Sequence, residues 1–147
     1  MKIAVGCDPN AESYKQIMIE HIKSLGHEVT DFGSEDPIYA RVAVKVGEEI
    51  AAGHFERGIL FCGTGLGVML AANKVKGIRA AVVHDVYSAK RAVLSNNCQI
   101  MTLGSQVDGD MLGKELITAF LNETYVYNER SGKKVDAMTE YEEKGTC

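Results

Sequence analysis

Short apolar runs of strand length alternate along this chain with longer stretches of helical periodicity, and that alternation limits its folds more than any other feature. KIAVGCD (2–8), HEVTDFG (27–33), RGILFC (57–62), IRAAVVHD (78–85) and CQIMTLG (98–104) read as strands. The segments 11–25, 38–52, 64–75, 86–94 and 110–121 read as helices. Tyr14, Ile17, Met18, Ile22 and Leu25 fall on one helical face, and Val42, Val46 and Ile50 repeat at the same spacing. All the strands but the second are nearly continuous apolar runs, as in a parallel sheet covered on both faces. Five strand–helix units with short connections predict an α/β, three-layer Rossmann-like fold with a five-stranded parallel sheet flanked by helices. At 147 residues the chain is expected to form one domain over 1–147. Residues 125–147 are a polar tail with room for one more short helix.

Parallel sheets of this type carry their chemistry at the carboxyl ends of the strands, beside the point where strand order reverses. The residues to inspect are therefore Cys7-Asp8, Cys62-Gly63-Thr64, His84-Asp85 and Gly104-Ser105. Asp85 also suits a helix N-cap, so structural and functional readings of that pair stand side by side. His21, His27 and His54 fall in helical or turn segments and are expected at the surface. A formal net charge of −4 argues against nucleic acid as a partner. No apolar run approaches the roughly 20 residues of a membrane helix, and the first residues lack the pattern of a secretory leader. A cytoplasmic location is expected. The four cysteines, Cys7, Cys62, Cys98 and Cys147, form no CxxC pair. Cys7 and Cys98 are expected to be small buried hydrophobes.

Cys62 differs because of the residues that follow it. CGTGLG places Gly63, Gly65 and Gly67 between a strand and a helix, where unpaired backbone N–H groups favour negative charge. A dinucleotide fingerprint needs a glycine one residue beyond Gly67, and Val68 stands there. No G-K-[ST] follows, so the loop is not a Walker motif either. Two readings remain. Cys62 is either a buried thiol in a tight glycine turn, or a base at the mouth of an anion hole, where a helix N-terminus favours the thiolate. In the second, the Thr64 hydroxyl donates to the same oxyanion.

GCD after the first strand, RGILFCGTGLGVMLAANKVKGIRAAVVHDVYSAKRA, SNNCQIMTLG and ERSGKKV together resemble the ribose-5-phosphate isomerase B / galactose-6-phosphate isomerase family over residues 1–136. The resemblance implies an aldose–ketose isomerase acting on a phosphorylated sugar without metal or cofactor. It also implies a homodimer, able to pair into a tetramer, with sites at the subunit interface and the tail associated with the dimer. Carried over residue by residue, it makes Cys62 the enediol base. Gly63, Gly65, Leu66 and Gly67 supply the enediolate-binding amides, with Thr64 assisting. Asp8 and Asn96 bind sugar oxygens, and Tyr39 lines the pocket. Arg130 and Lys134 grip the phosphate, Lys134 without the bidentate fork of an arginine.

The chain departs from the family pattern at three places. Pro9-Asn10-Ala11 stand where the family reads H-A-G. Ser95 replaces a histidine that opens the sugar ring, and Gln106 replaces a further phosphate arginine. Ribose 5-phosphate closes through O4 and must be opened before it isomerises, whereas a tetrose 4-phosphate has that oxygen esterified. The loss at Ser95 therefore points to a tetrose or tetrulose 4-phosphate. GCDPNA, DPIYA and LSNN are also similar to the tetrulose-4-phosphate isomerase subgroup. The other expectations are a ribose 5-phosphate enzyme in which His84 opens the ring, a galactose-6-phosphate isomerase subunit, or a sugar-phosphate binding module without turnover.

Overall fold

The computed structural model describes residues 1–146, so Cys147 lies outside the described residues. Five parallel strands, β1 (Lys2–Cys7), β2 (Glu28–Asp31), β3 (Arg57–Cys62), β4 (Ala80–Val82) and β5 (Ile100–Gly104), form one sheet in the order β2-β1-β3-β5-β4. The helices are α1 (Glu12–Ser24), α2 (Tyr39–Ala51), α3 (Leu66–Ala72), α4 (Val86–Leu94), α5 (Asp110–Leu121) and α6 (Glu129–Lys144). One face of the sheet packs on α1, α4 and α5 through Met18, Ile22, Val93, Leu116 and Phe120. The other packs on α2 and α3 through Ala43, Val46, Val68 and Ala72. This is the three-layer arrangement that the apolar strands require.

Several local expectations need correction. The strand predicted over 78–85 is only three residues long and lies at the sheet edge, where Ala80, Ala81 and Val82 are half-buried. The short helix expected in the tail is α6, at sixteen residues the longest in the chain. Asn128 caps it, and its backbone turns out of the helix at Gly145, with φ +73°. On α1, Ile17 points outward, while Lys15 and Ile19 turn inward with Tyr14, Met18 and Ile22. Lys15, 1% exposed, enters the core because its ammonium meets both Glu12 and Asp31 at 2.8 Å. His21 is half-buried, its Nε2 2.8 Å from the Thr118 hydroxyl of α5, and so is not a free surface group.

Candidate active site

The chain steps from β1 to β2 on one side and to β3 on the other, so strand order reverses between β1 and β3. Asp8 follows β1 and Cys62 ends β3, placing both at this switch point. The Asp8 N–H donates to the Phe61 carbonyl at 2.9 Å. One Asp8 carboxylate oxygen accepts from the Asn10 N–H and caps the 3-10 turn Pro9–Ala11. The other has no protein partner among the described residues.

Cys62 is 6% exposed, and its Sγ accepts the Gly65 N–H at 3.0 Å. That bond depends on Gly65 being left-handed, at φ +79°. The Gly65 carbonyl accepts from the Thr102 hydroxyl at 2.8 Å. A Cβ at Gly65 would lie 2.9 Å from the Leu103 carbonyl carbon and 3.0 Å from Val82 Cγ2. The loop is also laced to the turn after β5: the Ser105 N–H donates to the Cys62 carbonyl at 2.9 Å, and the Gln106 N–H to the Gly63 carbonyl at 3.0 Å. The Gln106 carboxamide lies over Gly63, about 3.1 Å from where a Cβ would stand. Thr64 is exposed, and its Oγ1 accepts the Leu66 N–H at 3.4 Å, leaving the hydroxyl proton free to donate. Leu66 opens α3 on the surface.

Gly67 is needed for a different reason. The Tyr39 ring at the start of α2 lies so close that a Cβ at Gly67 would come within 2.5 Å of its hydroxyl. Tyr39 thus packs against the N-terminal turn of α3. The other two described cysteines, Cys7 and Cys98, are also buried. Burial pushes the Cys7 thiol up to about 12, with Glu12 adding to the effect, and pushes Cys98 up to about 11. Burial thus disfavours the thiolate at both.

The remaining candidates are not gathered onto Cys62 within one chain by any described contact. Asn96 is exposed and donates its amide to the Arg91 carbonyl at 3.2 Å, which ties it to the end of α4. Arg130 and Lys134 stand one turn apart on α6, both exposed, with no ion pair among the described residues. The described contacts of the far half of α6 are at the opposite edge of the sheet. There Glu142 accepts the Gly77 N–H at 2.8 Å, and Met138 and Thr139 line a cleft with Ile78 and Arg79. Asp85 caps α4 by accepting the Ser88 N–H at 2.7 Å, so the structural reading holds for it. Sequence reasoning missed Asp108, which is 1% exposed and accepts from both the Gly104 N–H and His84. An aspartate four residues after the last strand was the one available signal.

The family model described as Ribose/Galactose Isomerase matches residues 3–138. A ribose-5-phosphate isomerase B of Listeria innocua is 45% identical over 147 residues, covering 98% of this chain and 99% of that protein. A D-erythrulose-4-phosphate isomerase of Pectobacterium atrosepticum is 42% identical, covering 97% and 95%. Among solved structures, ribose-5-phosphate isomerase B of Clostridium thermocellum superposes with a TM-score of 0.93 at 36% identity, covering 99% of this chain and all of that one. With its sheet, its cysteine loop and nearly its whole length accounted for, the chain belongs to the ribose/galactose isomerase family of sugar-phosphate isomerases.

Proposed function

We propose that this protein interconverts the aldose and ketose forms of a phosphorylated sugar through a cis-enediolate, with Cys62 as the base that moves the carbon-bound proton. The observation that carries this is the Gly65 N–H held 3.0 Å from Cys62 Sγ at a strand-to-helix switch point. It stabilises negative charge on sulfur, and the neighbouring amides of Gly63, Leu66 and Gly67, with the Thr64 hydroxyl, face the developing oxyanion. Asp8 and Asn96 take sugar hydroxyls, and Tyr39 closes the wall. Arg130 and Lys134 take the phosphate. Their exposure, and the docking of the far half of α6 at the other sheet edge, support their delivery by a second copy in a homodimer.

The favoured substrate is a tetrose or tetrulose 4-phosphate. Ser95 supplies no imidazole for ring opening, and a sugar phosphorylated on O4 needs none. The similarity of the chain to both a pentose and a tetrose enzyme leaves the weight on this chemistry. A coupled screen over tetrose 4-, pentose 5- and hexose 6-phosphates tests it. We expect kcat/KM for erythrulose 4-phosphate to exceed that for ribose 5-phosphate by at least roughly tenfold, about 1.4 kcal/mol of transition-state preference. The reverse order refutes the tetrose assignment. Cys62→Ala should lower kcat by about 10² to 10⁴-fold with KM little changed. A variant that keeps most of its kcat removes cysteine from the role.

A further inference from the structure

Asp8 opens a stiff turn. Its carboxylate caps the 3-10 turn Pro9–Ala11, its carbonyl accepts the Ala11 N–H at 2.9 Å, and the Pro9 ring fixes φ. Such a turn moves as a unit, so what holds its two ends decides where Asp8 stands. Both ends lead to one buried ammonium. On the β1 side, the Cys7 N–H donates to the Gly33 carbonyl at 3.2 Å, and the Gly33 N–H donates to Asp31 Oδ1 at 2.8 Å. Lys15 Nζ donates to that same Asp31 oxygen at 2.8 Å. On the α1 side, Glu12 follows the turn directly, and its Oε2 lies 2.8 Å from Lys15 Nζ.

Two carboxylates within hydrogen-bond reach of one nitrogen repel each other once that nitrogen is gone. Glu12 would then part from Asp31, and the two ends of the Asp8 turn would part with them. Gln16 Nε2 also bridges Glu12 Oε1 at 2.7 Å and Asp31 Oδ2 at 3.3 Å, but it is exposed and carries no charge to offset theirs. The bond from the Asp8 N–H to the Phe61 carbonyl would survive at 2.9 Å. It is a single point, about which the turn can pivot.

We propose that Lys15 is a positioning residue for Asp8: by clasping Glu12 and Asp31 it sets where the free Asp8 carboxylate oxygen meets a sugar hydroxyl. This rests on the assignment of Asp8 to sugar hydroxyls. Lys15 itself, at 1% exposure, stays out of reach of the sugar and acts only through the turn. Asp8 holds hydroxyls in the substrate and in the transition state alike. Displacing it therefore raises KM more than it lowers kcat.

The test is a double-mutant cycle on the full chain, with initial rates on erythrulose 4-phosphate and ribose 5-phosphate below the melting range of every variant. KM is the readout, because a loss of folded enzyme lowers the maximal rate and leaves KM where it was. We expect Lys15→Met to raise KM about tenfold over wild type, and to change it less than about twofold in an Asp8→Ala background. Glu12→Ala removes a half-buried side chain and leaves the core intact. It should show the same pattern at about threefold, so the test stands even if Lys15→Met fails to fold. A wild-type KM in the folded Lys15→Met chain, or in Glu12→Ala, overturns the proposal. So does a rise of equal size in the Asp8→Ala background. Asp8→Ala with wild-type KM and kcat instead refutes the sugar-binding assignment of Asp8, so the two failures are distinct.

Discussion

Gly65→Ala is the substitution whose cost is most directly written in the coordinates. Two terms act at once. The residue sits at φ +79°, where a non-glycine side chain costs about 1–2 kcal/mol. The new methyl would stand 2.9 Å from the Leu103 carbonyl carbon, which is backbone in a buried strand and has nowhere to go. Val82 Cγ2, at 3.0 Å, closes the other side. Overpacking of this kind adds about 1–3 kcal/mol. The sum, about 2–5 kcal/mol, corresponds to a fall in Tm of roughly 5–15 °C for a chain of this size.

Gly26→Ala is the control. Its φ is +86°, yet nothing lies within 4 Å of the position a Cβ would take, so it bears the backbone term alone. Thermal melts of both variants therefore isolate the steric term. Kinetics supply a second readout, because relieving the clash must move the amide that donates to Cys62 Sγ. Loss of one such donor lowers kcat by about 10² to 10³-fold, whereas Gly26→Ala should leave kcat unchanged. Equal melting shifts in the two variants, or full kcat in Gly65→Ala, would show that Leu103 yields and that the loop is not moulded as described.

Three further outcomes follow. Gly67→Ala lies inside a helix, where alanine gains about 1 kcal/mol over glycine, but it must evict the Tyr39 ring; Tm should hold while KM rises, and an unchanged KM would place Tyr39 outside the site. Asn73→Ala removes both bonds between its side chain and the Ala80 backbone, at 2.9 and 2.8 Å, and should cost about 1–3 kcal/mol by denaturant titration with little effect on kcat. Lys15→Met leaves Glu12 and Asp31 unpaired but able to hydrate, a loss of about 2 kcal/mol. In the wild type, the Lys15 hydrogen bond, helped by Ser34, holds the Glu12 carboxyl down at about 2 against its ordinary 4.5. That contribution is complete above pH 4.5 and is lost as pH falls toward 2, so Lys15→Met should flatten the Tm profile across that interval.

The layers, the strand count and the position of Cys62 were legible because each rests on a local pattern: apolar runs, helical spacing, glycines between a strand and a helix. The bounds of α4 and α5 follow from caps and periodicity and fall as expected. What stayed hidden depends on partners distant in sequence. Nothing near Lys15 says that Asp31 will meet it across the α1–β2 connection, so the buried face of α1, expected through Tyr14, Met18 and Ile22, extends to Lys15 and Ile19 and leaves Ile17 outside. The edge position of β4 follows from a crossover, β5 inserting between β3 and β4, which residue composition does not encode. Asn73 belongs to the ANK block that supported the family resemblance, yet its observed partner is the Ala80 backbone. A specific motif can therefore mark the scaffold of a site as readily as its chemistry.

The three glycines of the loop illustrate why pattern alone could not assign it. Gly63 makes room for the Gln106 carboxamide, Gly65 adopts φ +79° against Leu103, and Gly67 admits the Tyr39 ring. In a dinucleotide loop the open approach would be reserved for a pyrophosphate. Here an aromatic ring already fills the approach at Gly67, and what remains at Cys62 Sγ is the Gly65 N–H, 3.0 Å away. Under the proposed function, a spacing that fails at Val68 for a pyrophosphate serves instead to bring one backbone donor to Cys62 Sγ at a strand-to-helix turn.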